Sequence, residues 1–182
     1  MHAVKRFHSI YHLNLSSANI THKGAKRIFR ALHKNESLVS LSLGCIDGVN
    51  RNRIGVEGVL EIAKLFEVNK TLSILDLSCN RILDEGFVLL VRALEKAEHV
   101  KSLNLSSNEI TFTGLYEVQA AFANTQLSVL DVSNNHIKDE GFTYLLPSLK
   151  SRYKGKMVRL NLTGCNLTHR VMPKIFPIIA KN

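Results

Sequence analysis

A chain of 182 residues with 45% hydrophobic composition suits one domain with a continuous core, and this composition excludes an unstructured or collagen-like polymer. No stretch approaches the roughly 18 apolar residues of a membrane span, and Met1 to Leu13 is interrupted by His and Lys/Arg instead of forming an apolar export segment, so a soluble, cytoplasmic protein is expected. The net charge of +9 is uneven: residues 1–35 carry seven Lys/Arg and no acid (+7), residues 36–140 nine against all fifteen acids (−6), and residues 141–182 eight and no acid (+8), a distribution that either solubilises exposed ends or steers charged partners to different faces.

A pattern Leu-x-Leu-x-x-Asn-x-Ile-x-x-x-Gly returns six times. Its copies start at Leu13, Leu41, Leu75, Leu103, Leu130 and Leu160, separated by 28, 34, 28, 27 and 30 residues. A period of that length holds one supersecondary unit and not a whole domain. An apolar residue three places upstream joins each copy (Ile10, Leu38, Leu72, Val100, Leu127, Met157), so six repeats begin near 10, 38, 72, 100, 127 and 157 of a single domain, 1–182.

In the first repeat, Val4, Phe7 and Ile10 offer only a short apolar cover, a strand is predicted around Leu13, and Ile28, Ala31 and Leu32 have helical spacing beside a basic face of Lys23, Lys26, Arg27, Arg30 and Lys34. The second repeat holds about six extra residues, roughly 46–51, whose Asp47, Gly48 and Asn50 predict an insertion loop before the helix marked by Val59, Ile62, Ala63 and Phe66. The third, fourth and fifth repeats are the fullest copies: Leu75, Leu77, Asn80, Ile82, Gly86, then Leu103, Leu105, Asn108, Ile110, Gly114, then Leu130, Val132, Asn135, Ile137, Gly141. In these, an amide two places before the isoleucine can donate and accept across the backbone of the bend. Ala18 and Cys165 replace that amide in the end copies. Asp84, Glu85, Asp139 and Glu140 sit where a helix N-terminus favours negative charge. The sixth repeat carries Pro173 and Pro177 in its helical half, which shorten or kink that helix and end the stack.

One strand and one helix cannot bury an apolar face alone, so neighbouring units must supply the missing surface. Helices are wider than strands, and the stack therefore curves with its strands inside. On these residues the chain resembles the leucine-rich-repeat proteins of the ribonuclease-inhibitor-like subclass. The resemblance implies an α/β fold: a right-handed solenoid, or horseshoe, of six repeats with parallel strands on the concave side and helices on the convex side. It also implies a protein-binding role, inhibition being the mode of the inhibitor that names the subclass.

The sequence shows no phosphate loop, no helical pair of metal-binding histidines and no nucleophile elbow, so neither an enzyme nor a cofactor is expected. Cys45, Cys79 and Cys165 are odd in number without a short-spaced pair, which favours free thiols, with a redox pair between Cys45 and Cys79 as the alternative. Asp76 and Asp131 share a strand position two repeats apart, about 10 Å on strand spacing, loosely compatible with paired carboxylates.

The residues flanking the paired leucines face the concave side: His12, Asn14, Asp76, Asn104, Asp131 and Arg159 are the candidates there for partner contact. A rim column beyond the strands reads Asn19, Arg53, Arg81, Glu109, His136, Asn166, and Phe112 occupies a place where other repeats have Asp84 or Asp139. Phe112 either makes an exposed anchor patch with Arg53, Arg81 and the extra loop or folds onto its own helix. The expected partner is another protein of acidic or mixed charge. Nucleic acid is disfavoured because base stacking needs exposed aromatics and the chain has no Trp and four Tyr. A regulator of GTPase signalling, with Arg53 or Arg81 reaching a nucleotide, and a bacterial effector or effector regulator in host cytosol are the alternatives.

Overall fold

Six short strands alternate with six helices in the computed structural model, which describes residues 10–45, 49–150 and 157–179. The order is β1 (His12–Asn14), α1 (His22–Leu32), β2 (Ser40–Ser42), α2 (Gly55–Val68), β3 (Ile74–Asp76), α3 (Leu83–Leu94), β4 (Ser102–Asn104), α4 (Phe112–Phe122), β5 (Val129–Asp131), α5 (Lys138–Lys150), β6 (Arg159–Asn161) and α6 (Met172–Ile179), with a 3-10 turn at His169–Val171 before α6. Val4, Phe7 and the first part of the predicted insertion, Ile46 to Gly48, lie outside the described residues.

All strands pair in parallel in the order β1-β2-β3-β4-β5-β6, so each repeat touches its neighbours in sequence, as a stack requires. The register places Leu13, Leu41, Leu75, Leu103, Leu130 and Leu160 in one row. The four inner leucines are buried, whereas Leu13 and Leu160 in the end repeats are half-buried, because each lacks a neighbour on one side. The helices run down the other side, each covering the next, and their apolar faces join the strand leucines in one long core.

A row of buried amides holds the bends together. Asn80 donates to the carbonyls of Leu43 (2.8 Å) and Ser78 (2.9 Å) and accepts from the Ile54 N–H (3.2 Å). Asn108 donates to Leu77 and Ser106 and accepts from Asn80 and Ile82, and Asn135 repeats the arrangement one unit on. Asn52 belongs to the same row: it donates to Leu15 and Leu43 and accepts from Ile20, so the ladder continues through the second repeat despite its extra residues. At the end of the row Cys165 makes one donation, from its thiol to the Val132 carbonyl at 3.1 Å.

The glycines at the helix starts answer to the isoleucines four residues earlier. A β-carbon at Gly86 would lie 2.8 Å from Ile82 Cγ2 and one at Gly141 2.7 Å from Ile137 Cγ2, closer than carbon atoms approach. Asp84 and Asp139 do more than face a helix dipole. Asp84 accepts from the Thr111 N–H (2.7 Å) and hydroxyl (2.6 Å), and Asp139 from the Thr168 N–H (2.8 Å) and hydroxyl (2.5 Å), so each acid ties its repeat to the next. Those Thr168 hydrogen bonds hold the Asp139 carboxyl below its ordinary pKa. Pro173 and Pro177 both lie within α6 as far as the described residues follow it, and α5 likewise accommodates Pro147.

Candidate partner-binding surface

Strand register sets two side-chain rows on the concave side. The first runs His12, Ser40, Ile74, Ser102, Val129, Arg159 and the second Asn14, Ser42, Asp76, Asn104, Asp131, Asn161. In the first row His12 and Arg159 are exposed and Ile74 keeps 41% of its surface open, an unusual exposure for isoleucine among serines.

The second row has a structural task beyond its place on the open face. The Oδ1 atoms of Asn14, Asp76, Asn104, Asp131 and Asn161 each accept the N–H two residues on, from Ser16, Ser78, Ser106, Ser133 and Thr163, at 2.9 to 3.1 Å. These are Asx turns that close each strand. Asp76 also accepts from the Ser42 hydroxyl (2.8 Å), and Asp131 from the Ser133 hydroxyl (2.6 Å) and the Asn161 amide (2.8 Å). Gly44 makes room for this network, since a β-carbon there would meet Asp76 Oδ2 at 2.6 Å. Each acid thus accepts from neutral donors, Asp76 from Ser42 and Ser78 and Asp131 from Ser133 and Asn161. A signal was present in the sequence: Asn or Asp followed two places later by Ser or Thr in five of six repeats.

The rim column divides into two geometries. Asn19, Arg81, Glu109 and Asn166 adopt left-handed backbone, with φ of 52, 55, 62 and 57°. Arg53 and His136 instead form bridges with Thr21 and Thr111, their N–H groups donating to Ile20 (2.7 Å) and Ile110 (2.8 Å). A rim cleft of about 530 Å³ gathers Arg53, Arg81 and Glu109 with Asn19, Asn52, Cys79, Ser107 and two residues at the end of the insertion, Asn50 and Arg51. Within it Arg81 Nε lies 3.4 Å from Glu109.

Phe112 is not the exposed anchor that its place among acids allows. It starts α4 half-buried, with the Lys138 ammonium 5.5 Å from its ring centre, and it is not among the residues lining the cleft. Lys138 lies 26 positions away in the following repeat, and sequence spacing gave no sign of that contact. His136 is exposed on the rim outside the cleft lining.

The three cysteines stand outside any disulfide. Burial pushes the Cys79 and Cys165 thiols above their ordinary range, which suppresses the thiolate that nucleophilic or metal chemistry needs. Among the described residues, no group of three or more His, Cys, Asp or Glu is placed to hold a metal ion, and no helix is long and apolar enough to cross a membrane. On the convex side, unforeseen from the sequence, buried Glu61 of α2 receives Lys26 (3.5 Å) and Arg30 (3.7 Å) from α1 and Lys64 (3.1 Å) from its own helix. Burial alone would raise its pKa; the Lys64 hydrogen bond and the charges of Lys26 and Lys64 outweigh it, and the net shift is downward.

Comparison with known proteins extends this picture. Residues 8–29, 68–91, 96–118 and 123–146, together just over half the chain, match the family model described as Leucine Rich repeat. NACHT, LRR and PYD domains-containing protein 4C of Mus musculus is 34% identical over 167 residues, covering 86% of this chain and 16% of its own length. Protein phosphatase 1 regulatory subunit 37 homolog of Caenorhabditis elegans is 28% identical over 184 residues, covering 98% of this chain and 19% of its own. The chain thus spans less than a fifth of these relatives. Among solved structures, Leiomodin-1 Actin-Binding Site 2 superposes with a TM-score of 0.66 at 21% identity, over 78% of this chain and 80% of that one, a likeness of fold.

Proposed function

From the premise that the chain belongs to the leucine-rich-repeat family and is a protein-interaction module, we propose that it is non-enzymatic and holds one partner protein against its concave strands and rim, blocking or regulating that partner. The observation that carries this reading is the open sheet face of six strands, whose small polar side chains let another backbone approach, bordered by a rim cleft with three arginines. Likeness to a phosphatase regulatory subunit supports regulation by binding over turnover. The proposed partner is acidic or of mixed charge, and the proposed site of action is the cytosol, on the odd cysteine count. The proposed contact residues are His12, Arg159 and Ile74 on the strands and Arg53, Arg81 and Glu109 on the rim; His136 and Phe112 lie at its margin. Asn14, Asp76, Asn104 and Asp131 contribute through the strand-end turns they hold.

Photo-crosslinking tests the reading. Benzoyl-phenylalanine is introduced at position 74 on the concave face, 81 on the rim and 60 on the outer face of α2, and adducts are collected from cells of origin. Adducts from 74 and 81 and none from 60 are expected. Adducts from 60 alone would overturn the proposal.

A further inference from the structure

We infer that the rim cleft receives an acidic segment of the partner, an extended peptide carrying adjacent Asp or Glu side chains, and that Glu109 is an internal competitor which this segment displaces from Arg81. The inference rests on the reading of the chain as a protein-binding module and gives that module a recognition chemistry.

Charge is the first argument. Among the described residues lining the cleft, Arg53 and Arg81 are exposed cations beside the one acid Glu109, which is also exposed. A guanidinium offers a planar fork of donors that matches a carboxylate, so clustered arginines favour acidic side chains over neutral ones. The amide of Asn19 and the hydroxyl of Ser107 add neutral donors, and Cys79, its thiol held protonated by burial, brings no opposing charge.

Rigidity is the second. The walls are tied across repeats by backbone bonds from Asn19 to Asn50 (2.9 Å), Cys79 to Ser106 (2.9 Å) and Ser107 to Ser133 (2.9 Å). A preorganised cleft loses little freedom on binding.

The Arg81–Glu109 pair supplies the third argument. It spans 3.4 Å with side-chain exposures of 71% and 54%, so water already screens it and an incoming carboxylate replaces Glu109 at small cost. Among the described residues, other basic surface lacks this combination. Lys26 and Arg30 on α1 are engaged with Glu61, and the groove between α2 and α3 has an apolar floor of Phe66, Ala63 and Leu89.

The test uses the full chain and a fluorescein-labelled peptide, Gly-Glu-Glu-Asp-Glu-Gly, followed by anisotropy at about 0.05 and 0.3 M salt. Thermal unfolding confirms that each variant is folded. Arg53→Ala combined with Arg81→Ala should weaken binding about tenfold, and Glu109→Gln should tighten it about threefold. Lys23→Ala with Arg27→Ala on the exposed face of α1 should change it less than about twofold. Equal weakening by the α1 variant, weaker binding with Glu109→Gln, no binding, or preference for a phosphoserine peptide of equal charge would each overturn the inference. In any of those cases persistent partner adducts from positions 74 and 81 would leave the protein-binding reading intact.

Discussion

Two rows of nearly identical side chains run along the stack a few residues apart and answer to different rules. The spine of Asn52, Asn80, Asn108 and Asn135 is 0 to 1% exposed, while the strand-end row of Asn14, Asp76, Asn104, Asp131 and Asn161 is partly open to solvent. Spine amides donate as well as accept, joining carbonyls and N–H groups of neighbouring repeats. The Asx turns of the strand-end row use only an acceptor oxygen. A carboxylate has no hydrogen to donate, so aspartate suits the second row and not the first. The sequence obeys this division: Asp appears twice in the open row and never in the spine.

The sharpest way to break the comparison is to move the carboxylate into the spine. Asn108→Asp removes donors to Leu77 and Ser106 and buries an acceptor-only group, and it should cost about 3–5 kcal/mol in urea unfolding. A loss below about 1 kcal/mol would show that the spine does not depend on donation. In the open row Asp76→Ala should cost about 1 kcal/mol, because it abolishes bonds to Ser78 and Ser42, whereas Asp76→Asn should stay within about 0.5 kcal/mol.

Glu61 extends the rule to the convex side: an acceptor-only group is buried there because Lys64, Lys26 and Arg30 surround it with donors. Its pKa is lowered from an ordinary value near 4.5, so its stabilising contribution is complete above that value and is lost as pH falls through the depressed one. The melting temperature of Glu61→Gln should therefore fall below that of the unsubstituted chain at pH 7 and converge with it only at acid pH, below the depressed pKa of Glu61. A constant difference at both pH values would count against an ionised Glu61.

Repeat period, strand register and the buried leucine row were legible because each depends on residue type at fixed spacing, and stacking translates spacing directly into rows. Asn80, Asn108 and Asn135 were legible for the same reason. The Asx turns were written in the sequence but hidden by a competing reading, since serine and asparagine also suit an open binding face. The alternation of the rim between left-handed Arg81 and extended Arg53 was not legible, because both are arginine and the difference lies in bridges to the preceding repeat. Lys138 over Phe112, and Lys26 and Arg30 beside Glu61, join different repeats, where side-chain reach and not sequence spacing decides contact.

The central claim is that the stack is held by its inner rows and binds its partner through its open side and rim. Calorimetric affinity for the crosslinked partner, measured beside melting temperature for the Arg53→Ala, Arg81→Ala double variant, tests it most directly. The account predicts that affinity falls at least about tenfold while the melting temperature holds, since both side chains are exposed and the backbone bonds of Arg53 remain. Unchanged affinity in a folded double variant would contradict it.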